Sequence, residues 1–386
     1  MSNKISSYQI KGDKAIWFVL FFMSVVSIIW VYSASGKLGL QKTEFYLFKQ
    51  TMVIIVGWIV AIIASQKLTE SHIKKIAFWG YLIIIPTLIL NLFIDSRWFQ
   101  IPIVNITVQF SEIAKFATII TTAMLLTVFG EEVKTKKGFI RLLIPTVIIS
   151  ALVVKLSGSA AILIFLSNVL LIYMGRARIK HLLVLAGIAV VGILMFVLVV
   201  KAFPSLKEHK SIGRWEGRIT SYFLSKEEKK KDELGGSYQI SQSKMAIAEG
   251  KLFGKGVGKS TCRYFLPEAY NDFIFSIIVE EAGSLFGLVV LSSYLILLFR
   301  AISIFLKTEN LFSRFVVLGL SVSIVMQAML NISVVVGLVP VTGQTLPLIS
   351  QGGTSIVVTF FGFGIIQAIT AQEDQKKKAK IKTSEA

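Results

Sequence analysis

Cysteine, histidine and charge are all scarce in this 386-residue chain. Cys262 is the only cysteine, so an intramolecular disulfide is excluded. The three histidines, His72, His181 and His209, lie far apart without metal-ligand spacing, so no zinc site is predicted. Charged residues make up only 16% of the chain against 54% hydrophobic ones, and the mean hydropathy is +0.72. That balance excludes a water-soluble exterior.

What is present is a series of apolar blocks, each long enough to cross a hydrocarbon core that takes about 20 helical residues. They predict an all-α polytopic membrane protein of about ten transmembrane helices. The spans fall near 15–33, 51–65, 76–94, 112–129, 142–155, 160–174, 182–200, 272–299, 315–337 and 349–370. The first follows Lys4, Lys11 and Lys14 and ends in small residues, but its apolar stretch is too long for a cleaved signal sequence. It is read as a retained helix, which leaves residues 1–14 and 371–386 as tails around a membrane domain 15–370.

The net charge of +19 sits between the spans, not in basic patches carrying aromatics, so it speaks for topology and membrane lipid rather than nucleic acid. Lys134, Lys136, Lys137 and Arg141, then Arg176, Arg178 and Lys180, then Arg300, Lys307 and Arg314 mark one side as cytoplasmic, together with both termini. One connection disagrees: 34–50 carries Lys37, Lys42 and Lys49 on the opposite side. The connection 201–271 is the single large extracytoplasmic loop, and Tyr238 to Phe253 within it reads as a short interfacial helix.

Several clusters invite a chemical reading. Residues 254–260, GKGVGKS, look like a phosphate loop, but the spacing requires glycine where Phe253 stands. A flexible turn is expected instead. Asp272 opens the eighth span, either as a helix cap or as a functional group at the membrane edge. Deeper in the same helix are Glu280 and Glu281; at about 100° per residue Glu280 is the one closer to the Asp272 face and is expected to look into a cavity beneath it. Glu112 and Lys115 share a helix face and predict an ion pair inside the bundle. Arg97 and Trp98 lie just outside that span, as either an anionic head-group site or an interface anchor. The stretch 331–355 is interrupted by Pro340, Gly343, Pro347, Gly352 and Gly353; broken backbone at membrane depth is tolerated where it is buried or lines a cavity.

These segments carry a resemblance over nearly the whole chain. LFGKGVGKS followed by FLPEAYNDFIFSIIVEEAG (252–283), and NISVVVGLVPVTGQTLPLISQGGTS (331–355), are similar to the most characteristic segments of the SEDS family, the peptidoglycan glycosyltransferases FtsW, RodA and SpoVE. SRWF (96–99), QFSEIAKFA (109–117) and YQISQSKMAIAEGKLFGKGVG (238–258) match more weakly. The chain departs from the family at Phe110, at KLSGSA (155–160), at Tyr270 and at Gln351, but keeps the aspartate.

The resemblance implies polymerisation of lipid II at the extracytoplasmic face of the bacterial cell membrane, with release of undecaprenyl pyrophosphate. It implies a catalytic role for Asp272. Arg97, Lys259 and Arg263 are expected to offer positive charge to the pyrophosphate, with a divalent cation (Mg or Mn) as the one cofactor that could join them. Glu112, Lys115, Glu280, Thr342, Ser350, Gly352 and Gly353 complete the expected substrate contacts. The implied partners are a class B penicillin-binding protein and other division or elongation proteins. The segments around Asp272 and Pro340 look more like the FtsW branch, and hence the division septum, than like RodA. The rival readings are a lipid II flippase and a non-catalytic scaffold of the cell-wall machinery.

Overall fold

The structure, a computed structural model, describes residues 11–36, 40–94, 99–101, 106–202, 213 and 236–384. In hydrocarbon every backbone N–H and C=O must be paired within the chain, so apolar runs of this length become helices. In order they are α1 (Lys14–Ser35), α2 (Leu40–Lys67), α3 (Glu70–Ile94), α4 (Phe110–Phe129), α5 (Lys136–Val154), α6 (Gly158–Met174), α7 (Ile179–Ala202), α8 (Gly236–Gly250), α9 (Ile274–Lys307), α10 (Leu311–Val335) and α11 (Gly353–Ser384). Among the described residues eight are long and apolar enough to cross a membrane, against about ten expected, and Gly158–Met174 (α6) and Ile179–Gly192 within α7 are shorter apolar helices. α8 is the short helix expected inside the large loop.

Polar side chains start the helices where the sequence offers them. Asp13 caps α1, accepting from the N–H groups of Ala15 and Ile16 at 2.9 and 3.1 Å. Thr135, Ser157 and Asn310 cap α5, α6 and α10 in the same way. α10 and α11 form the buried centre, and α2 lies along α11. α7 packs chiefly against α6 and leaves Leu183, Val184, Ile188 and Leu198 exposed, as a helix facing lipid does.

Three boundaries differ from the sequence expectation, each for a local reason. α2 begins at Leu40, not near 51, so Lys42 and Lys49 belong to a helix and not to a loop. The connection that broke the charge rule thereby shrinks to residues 36–39. Between α3 and α4 a two-stranded antiparallel ribbon, β1 (Phe99–Ile101) and β2 (Ile106–Val108), pairs Phe99 with Val108, a small exception to an otherwise all-α chain. The eighth span is broken: Gly283 has φ 85° and ψ 168°, which splits α9 into a half-helix from Ile274 and a long membrane-crossing part. A side chain at Gly283 would place its Cβ 2.1 Å from the Leu252 carbonyl oxygen, so only glycine fits.

α1, α2, α4, α9 and α11 bring their ends together at one face of the bundle. The opposite face carries the turns α2–α3, α4–α5, α6–α7 and α9–α10, and the basic residues grouped above lie there.

Candidate active site

At the first of those faces lies a cavity of about 550 Å³, lined by Tyr46, Lys49, Gln109, Glu112, Glu268, Tyr270, Asn271, Asp272, Gly343, Gln344, Thr345, Gln351, Gly352 and Gly353. Three carboxylate residues and one lysine share its wall. Its size is within the usual range for small-molecule sites, about 300–1,000 Å³.

Two irregular strands of chain form much of this wall, the turn before α9 and the broken segment between α10 and α11. Irregular backbone has no ladder of its own, so side chains from the helices must pair its polar groups. Asn331 of α10 donates to the carbonyls of both Asp272 (2.8 Å) and Gln344 (2.7 Å), tying the two strands together. Ser350 donates to the Asn271 carbonyl at 2.6 Å, and the Gln351 N–H donates to the Tyr270 carbonyl at 3.0 Å. From α6, Ser159 donates to the Thr342 carbonyl at 2.6 Å while Gln344 donates to Ser159 at 2.9 Å. From α1 and α2, Gln50 donates to Ser27, which donates to the Ile349 carbonyl at 2.7 Å. Tyr294 of α9 donates to the Pro347 carbonyl. The two irregular strands, one of which carries Asp272, are therefore held by five helices, α1, α2, α6, α9 and α10.

The expected ion pair is present. Lys115 meets Glu112 at 2.7 Å, and its ammonium also donates to Gln327, whose amide donates to the Thr345 carbonyl at 3.1 Å. Lys115 is 2% exposed and Glu112 3%, so the pair is shielded from bulk water even though Glu112 borders the cavity. Tyr46 packs its ring against Tyr270 with centroids 5.1 Å apart. Burial pushes the Tyr270 phenol above its ordinary value, helped by hydrogen bonding to Tyr46 and by the charge of Glu268, so it remains a protonated donor.

Of the residues expected from sequence, Asp272, Glu112, Gly352 and Gly353 line the cavity. Lys115, Thr342 and Ser350 stand directly behind it as described. Asp272 does not cap α9, because Phe273 occupies that position and offers no side-chain cap. Arg97 lies outside the described residues. Glu280, Lys259 and Arg263 are placed elsewhere. Glu280 is fully buried and turned into the loop 255–262: it pairs with Lys255 at 2.9 Å and accepts from Ser260 (2.5 Å) and the Thr261 N–H (2.9 Å). Glu281 accepts from Ser33 of the neighbouring α1 at 2.5 Å. Arg263 donates to the Ser33 carbonyl at 3.0 Å, and Lys259 is exposed. α9 begins only at Ile274, so Asp272 lies in the turn before it and a helical projection from Asp272 to Glu280 does not apply.

The lysine that does reach the cavity is Lys49. Sequence reasoning saw it as a loop charge on the wrong side of the membrane, and that anomaly was the signal. Glu268, Gln344 and Asn331 had no such signal, because polar residues in an irregular segment look alike until folded.

Among the described residues one group has metal-ligand spacing, Glu249, Cys262 and Glu280, with donor atoms within 4.8 Å of one another. Lys255 already lies between the two carboxylates, bonded to both. Burial pushes the Cys262 thiol up to about 11, the wrong direction for a thiolate ligand. That donor set does not fit a resident divalent cation.

Eight helices long and apolar enough to cross a membrane among the described residues, with a polar, carboxylate-lined cavity where irregular backbone is buried, define a polytopic membrane protein with a binding or reaction chamber at one membrane face. The model of the FtsW/RodA/SpoVE family, described as cell cycle protein, matches residues 13–375, and the chain belongs to that family. It is 30% identical over 373 residues to stage V sporulation protein E of Bacillus subtilis, covering 92% of this chain and 95% of that one. It is 29% identical over 371 residues to a probable peptidoglycan glycosyltransferase FtsW of Trichlorobacter lovleyi, covering 93% of each. Among solved structures it is similar to a chain of a peptidoglycan synthase complex (TM-score 0.74, 20% identity, 94% of this chain and 99% of that one). It is also similar to the rod shape determining protein RodA of Thermus thermophilus (TM-score 0.67, 19% identity, 94% and 97%).

Proposed function

We propose that this protein is a peptidoglycan glycosyltransferase that polymerises lipid II, acting in septal cell-wall synthesis during cell division. The observation that carries the reading is the meeting of Asp272 and Lys49 in one polar chamber at the membrane face, on irregular backbone held by five helices. Curated relatives named FtsW support the activity, and SpoVE supports the family assignment.

In the proposed reaction the 4-hydroxyl of one lipid II attacks the anomeric carbon of the sugar at the end of another chain. The new C–O bond forms as the bond to the pyrophosphate oxygen breaks, with inversion. Asp272 takes the hydroxyl proton, and the electron pair of the broken bond leaves on undecaprenyl pyrophosphate. General-base help of this kind contributes about 10²–10⁴-fold. The Lys49 ammonium faces the negative charge that develops on the leaving group, the role expected from the sequence of Arg97, Lys259 and Arg263.

The basic face opposite the cavity supports a cytoplasmic location for both termini and an extracytoplasmic chamber. A class B penicillin-binding protein, crossing the membrane once, is the proposed partner that crosslinks the strands. The test is glycan-strand synthesis from purified lipid II in detergent, with the purified protein and its cognate transpeptidase. Detergent offers no bilayer to cross, so polymer is the product of a polymerase; lipid II left intact in detergent but moved across vesicle membranes would make the protein a transporter.

A further inference from the structure

Residues 251–259, which follow α8, expose three large apolar side chains: Leu252 at 58%, Phe253 at 81% and Val257 at 55%. The loop is not free to wander. Its backbone pairs with α9 on both sides of the Gly283 break: Lys255 N–H to the Glu280 carbonyl (3.0 Å), Gly256 N–H to Glu281 (2.8 Å), and Ser284 N–H to the Lys251 carbonyl (2.8 Å). A Cβ on Gly254 would lie 2.2 Å from the Glu281 carbonyl oxygen, so glycine permits this close approach. Whatever the height of residues 280–285 in the membrane, the loop shares it.

That height follows from two ties between α1 and α9. Asp13 and Arg300 form an ion pair at one end, and Ser33 meets Glu281 at the other. At about 1.5 Å per residue the two ties are about 30 Å apart along α1, the thickness of a bilayer's hydrocarbon core. Glu281 and the loop paired to it therefore lie at the membrane boundary, on the face where the cavity opens.

Below the break, Leu285, Leu288 and Val289 of α9 are exposed toward lipid, and Leu252 and Phe253 extend that surface outward. Lys251 and Lys259 flank the apolar residues and are exposed. The nearby carboxylates, Glu249 and Glu280, are both engaged by Lys255. Lys255 offsets one of these two negative charges, and Lys251 and Lys259 make the surface of the loop net positive.

We propose that residues 251–259 form an interfacial lipid-binding element: Leu252, Phe253 and Val257 enter the acyl boundary of the leaflet beside the cavity, and Lys251 and Lys259 bind the phosphates of anionic phospholipid. This is the use to which the glycine-rich GKGVGKS sequence is put, and it is independent of the chemistry assigned to Asp272. Amphipathic elements bind in this way through buried apolar area and attraction to anionic lipid together.

The test is a nitroxide label on Phe253→Cys in the full chain, reconstituted into vesicles of phosphatidylcholine or of equal parts phosphatidylcholine and phosphatidylglycerol. Cys262 is buried and does not compete for the label at neutral pH. The expected result is greater collision with oxygen than with a water-soluble nickel chelate, a further shift inward when phosphatidylglycerol is present, and loss of that shift in Lys251→Gln/Lys259→Gln. A label on Val257→Cys should follow the same pattern. Greater access of the nickel chelate in both vesicles would place the loop in water and overturn the proposal, and an identical depth in the two lipids would overturn the role of the lysines.

Discussion

Lys49 supplies the one lysine or arginine among the described residues that line the cavity, against Glu112, Glu268 and Asp272. If it stabilises charge on the departing pyrophosphate, Lys49→Gln should lower kcat/KM for lipid II about 10²-fold, the usual effect of losing one such donor. Lys49→Arg should keep most of the activity, and initial rates of polymer formation at varied lipid II concentration distinguish the two. Lys115 makes a different prediction, because its worth is structural. Removing it alone leaves the Glu112 carboxylate and the Gln327 oxygen without their cation, so Lys115→Met should cost about 3–5 kcal/mol. The double change Glu112→Gln/Lys115→Met, which leaves no stranded charge, should cost less; thermal unfolding in detergent measures both. Sequence spacing made this pair legible because i and i+3 on a helix are neighbours by geometry alone. Nothing comparable revealed Asn331, whose two donated bonds join strands that are distant in sequence.

At the scale of elements, α9 starts at Ile274, which leaves Asp272 in the turn before it, and breaks at Gly283, where the 251–259 loop pairs with it. Gly283→Ala would force a left-handed conformation on alanine and drive its Cβ into the Leu252 carbonyl, so it should destabilise the junction by about 1–3 kcal/mol and expose the 251–259 loop to proteolysis. Limited proteolysis at matched protein concentration checks it. The same junction has a predictable pH response. Burial opposes the charge of Lys255, but its hydrogen bonds to Glu249 and Glu280 outweigh burial and raise its pKa above 10.5. A raised lysine contributes stability that is fully present below 10.5 and is lost as pH climbs through the folded value. Protease resistance of the loop should therefore be unchanged by this ion pair from pH 6 to pH 9 and fall only in stronger alkali. The spans themselves were readable from hydropathy, since long apolar runs have one solution in lipid. The break was not, because one glycine inside an apolar run changes neither hydropathy nor period. The early start of α2 was hidden for the opposite reason, as Lys42 and Lys49 look like loop residues until the cavity gives Lys49 a polar surface to face.

For the whole molecule, the two faces have divided roles. One gathers the basic connections and is anchored where Arg300 and Gln367 hold Asp13 at the head of α1. The other assembles the cavity from the ends of α2, α4 and α11, the turn before α9 and the broken segment, with α10 and α6 holding these pieces from behind. Segments far apart in sequence thus meet at one point, which explains why the family's two most characteristic stretches, 252–283 and 331–355, lie more than forty residues apart and still form one wall. The central claim is that this wall makes glycosidic bonds through Asp272. The most direct measurement is glycan-strand yield from purified lipid II for the parent chain and for Asp272→Asn, each shown to be folded and bound to its transpeptidase. The account predicts polymer from the parent and at least about 100-fold less from the variant; equal yields would contradict it.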